Sequence, residues 1–370
     1  MTSPHRITVA VLGTGRQGRA HAQSLLEIGR ERLVVGDRTY AVDVLLYGRD
    51  HGKLAKLAEE LGVEKTTTDW RQAVMAPDVD IVDNCLINAM HYEPLLLAAE
   101  HGKHCIAEKP LTGDPRTAEA LLAAAERAGV RHTIIQNMRY QPGPAAAKEL
   151  LRQGRLGRIF HVRAVFGYYV PETITNRPAW FYQRQQAGGG IVADIMAHFF
   201  DLFRWLTGPI EGVFCQTATY LPNRQDAQGR AFVSDVEDAA ALVLRFAGGA
   251  IGDVFLSWVR RKHEAMPQFE IDGQAGSLLF SYDRLYQQLG TEAMHSFVPF
   301  AAVSDDPLSE WSPVPLPVSN PFRLQLEGFL RAVITGAPFE PNWHTALVNE
   351  RLLELAYRSA REGRMFWYQG

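Results

Sequence analysis

Two groups of side chains in this 370-residue chain have the types and spacing to do chemistry. The first is Glu108-Lys109-Pro110, which closes the apolar stretch Cys105-Ile106-Ala107. Proline locks φ and has no N–H to offer a ladder, so a strand must stop there with Lys109 held at its carboxyl end. Ligands of open α/β sheets bind in the crevice outside those ends, which aims the ammonium at one. The second group is Asp194 and His198 in Ile191-Val192-Ala193-Asp194-Ile195-Met196-Ala197-His198-Phe199-Phe200-Asp201. Helical spacing makes them neighbours on one face, with Asp201 along the same stripe. Phe199, Phe200, Leu202, Phe203 and Trp205 make the remainder apolar, so the helix is buried and its polar residues need partners or a cavity. A histidine, with an unperturbed pKa near ~6.5, suits proton transfer at neutral pH.

A glycine pattern, Gly13-Thr14-Gly15-Arg16-Gln17-Gly18, follows the apolar run Ile7–Leu12 and opens a helix-spaced segment. Glycines there permit a tight turn, close approach of backbone to a pyrophosphate, and close packing of helix on strand. This assigns a dinucleotide site to Gly13, Gly15, Arg16, Gln17 and Gly18. The residue ending the second strand selects the cofactor, a carboxylate for NAD or an arginine for NADP. Asp37 sits about twenty residues past the fingerprint, where the carboxylate is usually found. Only the run Val42–Tyr47 is followed by a returning helix, however, so Gly36-Asp37 reads as the tip of an inserted hairpin. Arg49 then faces the adenosine end. NADP is favoured, and NAD is the alternative because Asp50 follows directly.

These residues need elements to carry them. Strand-like runs at Ile7–Leu12, Val42–Tyr47, Ile81–Cys85, Cys105–Ala107 and Thr133–Gln136 alternate with helical patterns at Arg16–Ile28, Lys53–Leu61, Tyr92–His101 and Pro115–Ala128. Such alternation predicts an α/β Rossmann domain, a doubly wound parallel sheet over residues 1–141. After Gln141-Pro142-Gly143-Pro144, strands succeed one another from Arg158–Tyr168 to Ser277–Phe280. This predicts an α+β domain over residues 142–370 with a mainly antiparallel open sheet. Phe322–Val333 and His344–Ala360 are its closing helices, free to pack back on the first domain.

Composition narrows the classes further. With 46% apolar and 21% charged residues, the chain is an ordinary globular protein, neither disordered nor fibrous. A net charge of −3 gives no electrostatic basis for binding nucleic acid or an anionic membrane, and no apolar run approaches a membrane span. The amino terminus runs into a strand with no apolar leader, and Cys85, Cys105 and Cys215 suit a reducing compartment, so a cytoplasmic protein is expected. His101, His104 and Cys105 cluster in sequence but belong to diverging elements, and no metal site is expected.

The run Gly-Thr-Gly-Arg-Gln-Gly-Arg-Ala-His at 13–21, Glu108-Lys109-Pro110, and Gly188-Gly189-Gly190 leading to Asp194 and His198 together resemble the glucose–fructose oxidoreductase and inositol dehydrogenase (Gfo/Idh/MocA) family. The similarity spans nearly the whole chain. It implies hydride transfer between a nicotinamide cofactor and a secondary alcohol or ketone of a sugar, polyol or glycoside, in a homodimer or homotetramer. For that chemistry His198 is the base in oxidation and the acid in reduction, Lys109 positions the reacting oxygen, and Asp194 binds an adjacent hydroxyl. The resemblance puts Glu108 on the floor of the cofactor pocket and matches Asn88 and His91 to cofactor-side residues, although Leu86-Ile87 replaces the Thr-Pro that many members carry. Arg139 and Tyr140 resemble an Arg-aromatic element near the substrate pocket, and either contact the substrate or pack between domains. Trp180 and Tyr182 either stack on a pyranose face or pack between domains, while Arg177 and Arg184 read as solvated. An alternative function, an NAD-dependent glycoside hydrolase working by transient oxidation and elimination, would use the same lysine and histidine.

Overall fold

The computed structural model describes residues 5–173, 178–261, 268–290, 308 and 311–370, which leaves Met1–Pro4 and Arg177 outside the described residues. The chain divides into two compact units, residues 1–137 with 320–351 and residues 138–319 with 352–370.

The first unit is organised on β1 (His5–Leu12). Alternate residues of this strand enter different cores. Ala10 and Leu12 join Trp70, Leu95 and Leu121, while Val9 and Val11 join Leu25, Leu46 and Ile106. A strand buried on both faces must be apolar throughout, hence the unbroken run in the sequence. Helix α1 (Arg16–Glu31) leads into a hairpin of β2 (Leu33–Val35) and β3 (Arg38–Tyr47) with Gly36-Asp37 at its tip. β3 is the strand that lies parallel to β1, so the residues after Tyr47 stand at the carboxyl edge. The chain continues through α2 (His51–Leu61), β4 (Lys65–Thr67), α3 (Trp70–Met75), β5 (Ile81–Asn84), α4 (Tyr92–Glu100), β6 (His104–Ala107), α5 (Pro115–Ala128) and β7 (His132–Ile134). The sheet order is β2-β3-β1-β5-β6-β7, with β4 paired to β3. The order reverses at β1 and β5, the switch point where a doubly wound sheet opens a crevice. β4 and α3, of 3 and 6 residues, are too short for periodicity to reveal.

The second unit starts with α6 (Pro142–Arg152) and β8 (Ile159–Gly167), followed by the short helix α7 (Arg184–Ala187). A π turn, Val192–Met196, then precedes α8 (Ala197–Thr207). The remaining strands are β9 (Ile210–Ala218), β10 (Asn223–Gln225), β11 (Ala231–Val233), β12 (Ala239–Phe246), β13 (Ile251–Ser257), β14 (Gln268–Gly273), β15 (Gly276–Phe280), β16 (Leu285–Leu289) and β17 (Ser312–Pro313). After α9 (Pro321–Thr335) and α10 (Trp343–Glu362) the chain ends near β18 (Phe366–Trp367). A nine-stranded sheet runs β17-β16-β15-β14-β8-β13-β12-β9-β18, antiparallel except for the β8–β13 pair. α8 packs on it through Phe199 and Phe203, whose rings meet Phe269 edge-on at 5.0 and 6.1 Å. Leu326, Phe329 and Leu330 of α9 complete one core of the first unit, and Trp343, Ala346 and Leu347 of α10 the other.

Asp201, on the stripe of Asp194 and His198 by helical spacing, differs from them in being fully buried, where Arg139 grips it in a two-pronged pair at 2.7 and 2.6 Å. Breaking a buried pair strands the partner's charge. Asp201→Ala should therefore lower the unfolding free energy by about 3–5 kcal/mol, measured by urea titration.

Candidate active site

The glycine loop of the first unit lies between the carboxyl ends of β1 and β5. A Cβ on Gly18 would sit 2.0 Å from the Gly13 carbonyl oxygen, and one on Gly13, whose φ is +123°, would sit 2.9 Å from that of Cys85. These two glycines serve the protein's own packing. At Gly15 a Cβ would meet nothing within 4 Å, so the open space lies at the start of α1. Among the described residues no side chain caps that helix, whose first amides point outward. Open space at a bare helix N-terminus fits a dinucleotide pyrophosphate. Arg49, exposed, follows β3 at the same edge, and the Asp50 carboxylate beside it caps α2 by accepting from the Lys53 amide at 3.0 Å.

Next to this loop sits the Glu-Lys-Pro turn. Glu108 is 5% exposed and accepts from the Gln17 amide group and from the Lys109 backbone N–H, each at 3.1 Å. His21 Nε2 faces the same carboxylate at 3.3 Å. Its Nδ1 faces Asp83 at 2.9 Å and the Cys85 sulfur at 3.1 Å. Burial acts to lower the pKa of His21, but Asp83 and Cys85 outweigh it, and the imidazole is held well above its usual range. Burial drives the Cys85 thiol far upward, with Asp83 adding to it. His21, Asp83 and Cys85 could each offer a metal one atom, but these contacts are hydrogen-bond lengths, closer than donor atoms sit around one zinc. His101 bonds the Leu97 carbonyl, and His104 accepts the Arg131 amide.

Two further buried groups hold the turn. His91 is fully buried, with Nδ1 at 2.8 Å from the Pro110 carbonyl and Nε2 at 3.1 Å from that of Leu86. Both nitrogens thus face backbone, so His91 shapes the loops around the crevice. Asn88 is half-buried in the 3₁₀ turn that precedes it. Glu350 of α10 accepts from the amides of Thr112 and Gly113 at 2.7 and 3.0 Å, while burial raises its pKa. Lys109 itself is half-buried.

In the second unit, Asp194 and His198 keep partial exposure while Ile195, Met196, Ala197 and Phe199 are buried. The segment is not the regular helix the sequence suggests. Asp194 lies inside the π turn, a distortion that recurs at functional sites. Tyr282 lies close enough to Asp194 for its phenol pKa to be raised, chiefly by burial and then by that charge. The substrate-side expectations fare unevenly. Arg139 is committed to Asp201, which removes two of its donor nitrogens from service to a sugar. Tyr182 is fully buried, 5.7 Å from the Trp258 ring with the Arg224 guanidinium 4.7 Å above it, so it cannot stack on a pyranose. Tyr140 and Trp180 remain half-buried, and burial pushes the Tyr140 phenol to about 12. Arg184 is exposed but reaches Glu237 at 3.4 Å. Asp83, Glu237, Glu350 and Tyr282 were not singled out by the sequence, since nothing in their local spacing announces partners so distant.

A raised histidine pKa has a defined sign. His21 contributes stability that is fully present below its unfolded pKa of ~6.5 and is lost as pH rises through the higher folded value. The stability gap between wild type and His21→Asn should therefore be larger at pH 6 than at pH 9 in urea unfolding. A gap independent of pH would mean that the imidazole is neutral.

Residues 7–136 match the oxidoreductase family with an NAD-binding Rossmann fold, and residues 145–279 match the GFO/IDH/MocA C-terminal domain. The chain is 31% identical to the D-xylose dehydrogenase of Paenarthrobacter nicotinovorans over 98% of both proteins. It is 30% identical to the levoglucosan dehydrogenase of Pseudarthrobacter phenanthrenivorans over 75% of this chain and 74% of that one. Among solved structures, a levoglucosan dehydrogenase in complex with NADH superimposes with a TM-score of 0.86 at 25% identity, covering 99% of this chain and 100% of the other. With both halves matched and the site motifs in place, the chain belongs to the Gfo/Idh/MocA family of nicotinamide-dependent oxidoreductases.

Proposed function

We propose that this protein is a dehydrogenase or reductase of a sugar or polyol, with the first unit holding the dinucleotide, preferably NADP, and the second unit the carbohydrate. The observation that carries the reading is the bond from Gln17, in the glycine loop, to Glu108, which ties the Lys109 turn to the edge where a dinucleotide would lie. The curated relatives, a D-xylose dehydrogenase and a levoglucosan dehydrogenase, support a carbohydrate as substrate and net redox turnover over redox-assisted hydrolysis.

When bound, the nicotinamide supplies the hydride acceptor, and the remaining tasks fall to side chains. His198 takes the hydroxyl proton in oxidation and returns it in reduction, a role worth about 10²–10⁴-fold. Lys109 donates to the same oxygen and steadies the negative charge that grows on it. Asp194 accepts from a neighbouring hydroxyl, with Tyr140 and Trp180 as further contacts, while Asn88 serves the cofactor side. The NADP preference is supported by an exposed Arg49 at the adenosine edge, beside an Asp50 carboxylate already occupied as a helix cap. Self-association is supported by Val243, Ile251 and Phe255, 38%, 45% and 44% exposed, on the outer face of β12 and β13. Among the described residues, no helix is long and apolar enough to cross a membrane.

The reading is tested by screening sugars, polyols and glycosides for nicotinamide absorbance and released aglycone together. On the substrate so found, Lys109→Ala and His198→Ala should each lower kcat by about 10²–10⁴-fold with cofactor binding kept. Near wild-type turnover in either variant removes that residue from the chemistry. Arg49→Ala should weaken NADP about 10–100-fold while leaving NAD nearly unchanged in fluorescence titrations. Control of NAD affinity by Asp37 would instead make NAD the natural cofactor.

A further inference from the structure

We infer that Glu237 and Tyr357 are positioning residues that set the geometry of the turn carrying Asp194 and His198. The inference rests on the reading of those two as substrate-facing groups. A helix begins with amides that have no partner inside it, and buried ones must find partners elsewhere. Here four consecutive amides do so through only two residues. Gly190 and Val192 donate to Oε1 of Glu237 at 2.9 and 3.1 Å, and Ile191 donates to the Glu237 backbone carbonyl at 3.1 Å. Ala193 donates to the Tyr357 hydroxyl at 3.1 Å, and that hydroxyl donates in turn to Glu237 Oε1 at 2.8 Å.

The glycine triplet acquires a physical reason from this arrangement. A Cβ on Gly190 would lie 1.9 Å from the Glu237 carbonyl oxygen, and one on Gly189 would lie 1.9 Å from the Tyr357 hydroxyl. The backbone has to come that close for the amides to be met. The side chain of Glu237 is 4% exposed, and Arg184 borders its other oxygen at 3.4 Å. Burial and the carboxylate together push the Tyr357 phenol well up, so the hydroxyl keeps the proton it donates.

The clamp stops at Ala193, and the π turn that holds Asp194 overlaps it directly. A wide turn is metastable beside the ordinary helix. Fixing the amides before it sets where the extra residue falls, and with it the direction of Asp194 relative to His198 one turn later. Loss of the Tyr357 hydroxyl orphans the Ala193 amide and removes one of three donors from Glu237 Oε1. Displacing a substrate-binding group by about 1 Å can cost up to ~10²-fold in rate.

The test uses full-length protein and the sugar identified by the screen. Tyr357→Phe should stay folded by circular dichroism and hold its cofactor Kd within about twofold, while kcat/KM for the sugar falls about 10–100-fold. Glu237→Gln, which keeps an acceptor oxygen at the same place, should retain most of the activity that Glu237→Ala loses. Asp194→Ala serves as the control. If Asp194→Ala loses turnover but folded Tyr357→Phe stays within about twofold of wild type, the inference is wrong and the underlying reading stands. If Asp194→Ala keeps turnover, both fall. Loss of cofactor affinity in parallel with sugar turnover would also overturn the positioning role, because a general loosening of the fold moves both. Should Glu237→Ala fail to fold, Tyr357→Phe and Glu237→Gln still decide the matter.

Discussion

One buried carboxylate, Glu108, governs what the first unit can present to a ligand. Removing such a group from water is costly unless hydrogen bonds replace hydration. Gln17 of α1 and the Lys109 amide of its own turn donate to it, and the His21 ring of α1 faces it at 3.3 Å. The same bonds that offset desolvation therefore fix the distance between a phosphate-cradling loop and a lysine. Asp83, on the other side of His21, helps to hold the imidazole pKa well above its usual range. The dinucleotide-binding loop and the Lys109 turn share one edge because Gln17 of the loop donates to Glu108 of the turn.

The second unit applies the same constraint to a helix. α8 is apolar on most sides and could slide or rotate on its sheet at little cost. Buried carboxylates pin it at its entry and near its middle. Glu237 takes the amides that lead into it, and Asp201 is clasped by Arg139. Between those pins Asp194 and His198 retain access to solvent. The polar residues that do the holding are nearly inaccessible, and those proposed for chemistry are not. Arg139 and Tyr182, each read either as a substrate contact or as packing, lie among the nearly inaccessible residues, Arg139 paired with Asp201 and Tyr182 set against Trp258.

Much was legible in the sequence. An unbroken apolar β1, Gly-x-Gly-x-x-Gly and a strand ended by Lys-Pro are local facts, since proline's missing N–H and glycine's missing Cβ act at their own positions. Chain connectivity also sufficed to put Gly36-Asp37 at a hairpin tip and to make β3 the partner of β1, because a parallel neighbour needs a returning helix. The candidacy of Lys109, Asp194 and His198 rests on residue type and spacing together with the family resemblance.

What only the tertiary structure decided is which polar residues are partnered and which remain accessible. Asp83 and His21 are 62 residues apart, and Glu350 and Thr112 are 238 apart. Neither periodicity nor composition carries information over such separations. The π turn is hidden for the same reason: the segment reads as an ordinary apolar helix, and its extra residue follows from amides met by Glu237 and Tyr357. Aromatic residues posed a similar limit, since a tyrosine such as Tyr182 has the same local pattern whether its ring faces a sugar or a tryptophan. Local sequence determines where the backbone may turn and which atoms can react. Burial and long-range hydrogen bonding, which depend on what the fold brings against each side chain, determine which of those atoms are left to do so.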